Sequence, residues 1–202
     1  FRLCGATALF RQASLDADLG FPAGAEQFSC ALGMPINQRQ TPALMRLLLR
    51  SLISASASTK AAKNHYRRPR PFMLNGQPVC TPGDEPHLRA SGSYPSGHTT
   101  IGWTWALLLS EIAPERSTVL LERGRNYGHS RLVCNVHWYS DIKQGETMAA
   151  AAVARLHDNA EFRADLAEAR REIEAVRKLN LSLSRDCAAE ADVLKIDLPA
   201  AR

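Results

Sequence analysis

The chain has 202 residues, of which 45% are hydrophobic and 22% are charged, proportions that are typical of a soluble globular domain. Its net charge of +5 is compatible with an anionic substrate but is too diffuse to indicate nucleic-acid binding. No apolar run reaches the roughly 18 to 20 residues that a membrane-spanning helix requires, so we expect no membrane span.

The cysteines indicate neither a metal site nor one particular set of disulfides. None of the five stands in a Cys-x-x-Cys pair, which disfavours zinc binding. An odd number allows at most two internal disulfides with one thiol left over. The sequence leaves the pairing open among Cys4, Cys30, Cys80, Cys134 and Cys187.

The first half of the chain predicts one long helix after two short helical pieces, at 13–19 and 27–32. Thr41-Pro42 opens the long helix, since Thr is a good N-cap and Pro is favoured at the first helical position. Leucines then recur with helical period, and no breaker occurs before Pro69. We therefore expect this helix to continue past Lys63.

The second half predicts a long loop followed by helices. Residues 72–95 are rich in Gly, Pro, Asp and Ser, and long loops in compact domains are commonly functional. Helices are predicted at 98–113, buried on nearly all sides, at 115–127 with Gly128 as the stop, at 139–157, and at 160–179 as a charged surface helix capped by Asn159. Residues 130–137 fit either a helix or a strand. Because no period-two alternation occurs, we predict an all-α fold, with residues 1–202 forming a single domain.

The run Gly92-Ser93-Tyr94-Pro95-Ser96-Gly97-His98-Thr99 stands immediately before the most apolar predicted helix. Small residues at such an entry leave backbone N–H groups free, and the helix dipole adds positive potential there. A helix N-terminus of this kind suits a phosphate or a similar anion. We therefore predict the active site at the N-terminus of this central helix, with His98 at its mouth.

Two further groups of residues supply what phosphoryl transfer requires. Cationic side chains that stabilise the equatorial oxygens are available at Lys63, Arg70 and Arg131. His137 and Asp141 are four residues apart, so on a helix they share a face, and the carboxylate can orient the imidazole.

Together these groups resemble the signature of the type 2 phosphatidic acid phosphatase superfamily: Lys, six residues, Arg-Pro; Pro-Ser-Gly-His; and Ser-Arg, five residues, His, three residues, Asp. The chain matches it at Lys63 and Arg70-Pro71, at residues 95–98, and from Ser130-Arg131 to Asp141. The octapeptide 92–99 is similar to that of the bacterial class A nonspecific acid phosphatases. Weaker similarity to that group covers most of the chain.

The resemblance implies a reaction and a role for each residue. His137 attacks phosphorus and forms a phosphohistidine, Asp141 orients His137, and His98 protonates the leaving oxygen and then activates water. The phosphate oxygens are held by Lys63, Arg70, Ser96, Gly97 and Arg131. The resemblance further implies hydrolysis of phosphomonoesters, with phosphotransferase activity, and no metal or other cofactor. Inorganic phosphate or vanadate would be site ligands, and the protein would be a self-associating periplasmic or secreted enzyme.

Three alternatives carry less weight. Vanadium-dependent haloperoxidases share the same three groups and hold vanadate in place of phosphate. A membrane lipid phosphatase is opposed by the lack of spanning segments, and a noncatalytic anion-binding protein would leave the His137–Asp141 spacing as coincidence. Arg67, Arg68 and Arg70 form a dense basic cluster, of which Arg67 and Arg68 are interpreted as solvated surface. Lys60 is interpreted in the same way, because Lys60 and Arg67 repeat the Lys63–Arg70 spacing without the following Pro.

Overall fold

The structure, a computed structural model, describes residues 7–196 and consists of helices joined by turns and loops, with no β-strand among the described residues. The predicted all-α class is confirmed. The α-helices are Ala8–Leu15 (α1), Ala23–Glu26 (α2), Ser29–Leu32 (α3), Pro42–Ser58 (α4), Lys60–Tyr66 (α5), Pro71–Asn75 (α6), Glu85–Ala90 (α7), Gly97–Ile112 (α8), Ser117–Val133 (α9), Tyr139–Leu156 (α10), Ala160–Arg177 (α11) and Cys187–Leu194 (α12). Short 3₁₀ turns precede α7 and α9.

Helix α8 lies at the centre of the fold, as its apolar sequence predicts. It packs against α4, α9, α10 and α11. Trp105 is fully buried, and its indole N–H donates to the Leu48 carbonyl at 3.0 Å. The rings of Phe28 and Tyr127 pack against that indole. The first turn of α8 is therefore fixed by a rigid, well-packed core.

The predicted stop at Gly128 is wrong, because α9 continues through this residue to Val133. A Cβ on Gly128 would stand 2.9 Å from Thr99 Cγ2 and 3.2 Å from Ile142 Cγ2. The glycine thus allows α9 to approach both α8 and α10 closely. The segment that the sequence left open is split: residues 130–133 end α9, and a turn follows up to Trp138.

The single long helix predicted past Lys63 is also wrong, since α4 ends at Ser58 and α5 begins at Lys60. Ser58 donates to the Ala55 carbonyl at 2.7 Å and Thr59 to the Ser56 carbonyl at 2.9 Å. Such side-chain bonds compete with the helical ladder. Helix α5 is therefore a separate helix that begins after this break.

Residues 72–95 are not simply a loop, because they contain most of α6, the first 3₁₀ turn and α7. A disulfide joins Cys80 in this segment to Cys134 after α9. A small apolar cluster lies beneath it: Ala13, Phe72, Val79, Leu88, Cys134 and Val136. Helix α6, the 3₁₀ turn and α7 are each too short to give a periodic pattern, so the sequence did not predict them.

A second disulfide joins Cys30 in α3 to Cys187, the first residue of α12. The first helix starts earlier than predicted, after Thr7, whose hydroxyl accepts from the Phe10 amide. The last helix, α12, was not predicted. Cys4 lies outside the described residues, so the structure leaves its state undefined.

The two helices after the third signature group are close to prediction. Helix α10 ends one residue before the predicted end, and Asn159 caps α11 by accepting from the Phe162 amide at 3.0 Å. The charged face of α11 is exposed, while its apolar face joins the core. No helix in the described range is long and apolar enough to cross a membrane.

Candidate active site

The first turn of α8 forms the floor of the site. Ser96 is the N-cap, and its hydroxyl oxygen accepts from the Thr99 amide at 3.2 Å. The Ser96 amide donates to the Asp141 carbonyl at 3.0 Å, which ties the start of α8 to α10. The Gly97 backbone opens the helix, and this terminus carries the positive end of the helix dipole.

Lys63 reaches this turn from α5. Its Nζ donates to the Gly92 carbonyl at 2.9 Å, and its Cε stands 3.8 Å from the position of a Cβ built on Gly97. Burial and the charge of Arg70 lower the pKa of Lys63 to about 8. The break between α4 and α5 therefore places this ammonium group at the start of α8.

Arg70 is buried between the segment around α7 and the turn before α10. Its Nε donates to the Leu88 carbonyl at 2.8 Å, and its Nη1 donates to the Val136 carbonyl at 3.0 Å. Its Nη2 donates to the Ser91 hydroxyl at 3.0 Å. Burial and the charge of Arg131 lower its pKa to about 10. Several carbonyls thus hold the guanidinium, but no carboxylate neutralises it among the described residues.

His137 lies between a cation and a carboxylate. Its Nε2 is 3.1 Å from Arg70 Nη1, and its Nδ1 is 3.3 Å from Asp141 Oδ2. A guanidinium only donates, so Nε2 accepts and Nδ1 carries the hydrogen that faces Asp141. Burial is the main cause that lowers the pKa of His137 to about 3. The imidazole is consequently neutral, with the Nε2 lone pair directed to the cationic side.

Asp141 is fully buried in the first turn of α10. Its Oδ2 also accepts from the Trp138 amide at 2.8 Å, and its Oδ1 accepts from Arg68 at 2.8 Å. Burial would raise the pKa of this carboxyl, but the hydrogen bonds from His137 and the Trp138 amide and the charge of Arg68 lower it overall. The carboxylate is therefore ionised and fully occupied.

Arg131 is buried at the end of α9 without an ion pair among the described residues. Its Nη1 donates to Cys134 Sγ at 3.7 Å, whereas its Nε has no hydrogen-bond partner within residues 7–196. Burial lowers the pKa of Arg131 to about 10. The preceding residue is well anchored, since Ser130 donates to the buried carboxylate of Asp16 at 2.5 Å. A buried guanidinium without a paired carboxylate is costly, and an anion would relieve that cost.

His98 is anchored from the other side of the site. Its Nε2 lies 2.9 Å from the Ala17 carbonyl oxygen, and because a carbonyl only accepts, Nε2 carries the hydrogen. Burial, followed by the charges of Arg131, His137 and Arg70, lowers the pKa of His98 well below its usual range. The Nδ1 atom is thus the one left for chemistry.

The structure brings all eight predicted residues together at one end of the bundle. The charges of Arg70 and Arg131 lower the pKa of both histidines, and that of Lys63 lowers the pKa of His137. Arg70 also lowers the pKa of Lys63, and Arg131 lowers that of Arg70. Such a cluster, with the amides at the start of α8, suits a tetrahedral oxyanion. Within residues 7–196, His, Cys, Asp and Glu side chains form no group that could hold a metal ion.

Sequence reasoning missed Arg68 and the segment at Asp16-Ala17. Arg68 was grouped with solvated surface, whereas it pairs with Asp141. No spacing in the sequence distinguishes it from Arg67, which is exposed as predicted, like Lys60. The contributions of residues 16 and 17 depend on long-range packing and on a backbone carbonyl, and neither leaves a local pattern.

Comparisons with known proteins identify related chains. Residues 44–163 match the model of the PAP2 superfamily. The chain is 44% identical to an acid phosphatase of Zymomonas mobilis subsp. mobilis over 82% of its residues, and 42% identical to a non-specific acid phosphatase of Providencia stuartii over 88%. A non-specific acid phosphatase of Salmonella typhimurium is 41% identical over 81% of the chain. The matches span 62%, 72% and 66% of those relatives, in the same order.

Proposed function

This chain belongs to the PAP2 superfamily, and we propose that it is an acid phosphatase that hydrolyses phosphomonoesters through a phosphohistidine intermediate. Its relatives from Zymomonas mobilis, Providencia stuartii and Salmonella typhimurium carry acid phosphatase names. The observation that carries the mechanism is the orientation of His137, whose Nε2 accepts while its Nδ1–H faces Asp141.

In the first step, the His137 Nε2 lone pair attacks phosphorus and the bond to the leaving oxygen breaks. Asp141 stabilises the positive charge that develops on the imidazole. Because its pKa is about 3, His137 remains an uncharged nucleophile in acidic solution. This property supports activity at acid pH.

His98 supplies the proton for the leaving oxygen. With Nε2–H donated to Ala17, a proton on Nδ1 faces the site. The pKa of His98 is lowered by the charges of Arg131, His137 and Arg70 as well as by burial, and a bound phosphate dianion opposes those charges. Substrate binding therefore promotes the protonated form that acts as the acid. In the second step neutral His98 takes a proton from water, which attacks phosphorus and releases His137.

Lys63, Arg70 and Arg131 hold the transferred group, together with Ser96 and the Gly97 amide. Three cations and the start of α8 stabilise negative charge on the equatorial oxygens, which is the main requirement of phosphoryl transfer. An alcohol can replace water in the second step, so we also propose phosphotransferase activity. The two disulfides support a periplasmic or secreted location, and self-association stays a prediction.

The decisive experiment is rapid-quench trapping of labelled phosphate on the protein at acid pH, using an aryl phosphate and a chelator. We expect label on His137, inhibition by vanadate, and loss of both label and turnover in His137→Ala. His129→Ala is the matched control, since His129 is exposed. Label that persists in His137→Ala on another residue would refute the mechanism. Peroxide-dependent halide oxidation after vanadate loading, without phosphatase turnover, would favour the haloperoxidase alternative.

A further inference from the structure

Arg68 lies in the segment between α5 and α6 and contacts the site through Asp141. Its Nη1 donates to Asp141 Oδ1 at 2.8 Å and to the Ser140 hydroxyl at 2.7 Å. Its guanidinium also lies over the Trp138 ring, 5.5 Å from the ring centre. The Trp138 indole N–H in turn donates to the Pro69 carbonyl at 2.9 Å. Arg68 and Pro69 therefore hold the whole first turn of α10.

These contacts divide the Asp141 carboxylate between three donors. Oδ1 belongs to Arg68, whereas Oδ2 accepts from the Trp138 amide and faces His137 Nδ1. The distances to Arg68 and to the amide are both 2.8 Å, but the distance to His137 is 3.3 Å. The orientation of the Asp141 carboxylate is thus set mainly by Arg68 and the Trp138 amide, and the hydrogen bond from His137 is the longest of the three.

The other charged groups that face this pair stand on the side of the phosphate site. They are Lys63 from α5, Arg70 at the start of α6, Arg131 from α9 and His98 from α8. Arg68 is the cation that bonds directly to the carboxylate. Its side chain is partly exposed, at 37%, so it can be exchanged without opening a cavity in the core.

We propose that Arg68 is a positioning residue that turns Asp141 Oδ2 toward His137 and limits how strongly the carboxylate holds a proton on that imidazole. The proposal rests on the phosphohistidine mechanism proposed above. If the Asp141 carboxylate interacted with His137 alone, it would stabilise the imidazolium more strongly. His137 Nε2 would then be protonated in acidic solution and could not act as a nucleophile. Arg68 thereby extends the range of acid pH over which His137 is a nucleophile.

The experiment compares Arg68→Gln with Arg67→Gln, which removes the same charge from the adjacent, exposed residue. Two readouts are used: the pH dependence of kcat/KM with an aryl phosphate, and the NMR titration of the His137 ring. In Arg68→Gln we expect the pKa of His137 to rise by about one pH unit, with the acid limb of the profile moving up by the same amount. Arg67→Gln should leave both readouts unchanged.

Arg68→Lys is the second variant, because it restores the charge without the paired geometry. We expect it to return the His137 titration toward that of the wild type, whereas kcat should lie below the wild-type value because Lys cannot hold Asp141 and Ser140 in the same way. Coincident titration curves and profiles in Arg68→Gln and Arg67→Gln would overturn the proposal. A wild type without turnover would contradict the proposed function instead, and the NMR titration would still decide the role of Arg68.

Discussion

Replacement of Lys63 by Met tests whether the phosphate site is assembled at the expense of stability. The pKa of Lys63 falls from 10.5 to about 8 in the folded protein, because of burial and the nearby charge of Arg70. Holding the ammonium group in the fold therefore costs about 3 kcal/mol at neutral pH. Lys63→Met removes that cost but also the hydrogen bond to the Gly92 carbonyl, which is worth about 2 kcal/mol because its donor is charged.

We expect Lys63→Met to be more stable than the wild type by about 1 kcal/mol near neutral pH, which corresponds to a rise in Tm of about 2 to 4 °C. The folded-state pKa lies below the unfolded one, so the penalty is complete below about pH 8 and disappears toward about pH 10.5. The advantage of the variant should shrink over that interval. Thermal and urea unfolding in phosphate-free buffer measure it, with Lys60→Met as the exposed control.

Inorganic phosphate should reverse the order of stability. A ligand at about a hundred times its dissociation constant stabilises a protein by roughly 2.7 kcal/mol. If Lys63 holds the phosphate as proposed, we expect the wild type to bind phosphate more tightly than the variant. The reasoning would be refuted if Lys63→Met were less stable than the wild type in phosphate-free buffer near neutral pH. A difference that does not change with pH would refute it as well.

Three further predictions concern pH, packing and the disulfide next to the site. The profile of kcat/KM should have an acid limb near the His137 pKa of about 3, where protonation removes the nucleophile. It should fall again as His98, whose pKa is well below its usual range, loses the proton for the leaving oxygen, and further near pH 8 as Lys63 loses its proton. A profile without the acid limb would contradict the role of His137, and a flat profile into alkaline pH would contradict the roles of His98 and Lys63. Gly145→Ala should cost about 1 to 3 kcal/mol and reduce turnover, because the new Cβ would stand 2.8 Å from the Ser96 carbonyl oxygen. Replacing the Cys80–Cys134 disulfide by serines should cost about 2 to 5 kcal/mol and raise KM, since it frees the segment that holds Arg70.

Matched controls separate local from global effects in the last two cases. Thr147→Ala changes the exposed side of α10 and should leave melting and turnover near wild-type values. Loss of the distant Cys30–Cys187 disulfide should lower stability without the same rise in KM. If Gly145→Ala has the same Tm as the wild type, the close approach of α10 to α8 does not require a glycine at this position. If both disulfide variants change KM equally, the effect of Cys80–Cys134 is not local.

The sequence predicts which residues lie together at the candidate site better than it predicts the helices around them, for physical reasons. Signature residues occur in short runs with fixed spacing, and long apolar helices such as α8 have a strong periodicity. Gly128 was misread because a glycine that permits close helix packing and a glycine that ends a helix look alike in sequence. The helices within residues 72–95 are stabilised by a disulfide and by tertiary contacts, which no local pattern records.

Two arginines on α9 illustrate why the structure adds what the sequence lacks. Arg123 and Arg131 are both fully buried, yet their pKa values move in opposite directions. Burial lowers both, but Arg123 is bonded to the carboxylates of Asp16 and Glu190, which raise its pKa overall. Arg131 has no such partner among the described residues, and its Nε remains without a hydrogen bond. Because a buried cation needs a compensating charge, Arg123 is complete as a structural residue, whereas Arg131 lacks the negative charge that a phosphate ester would provide.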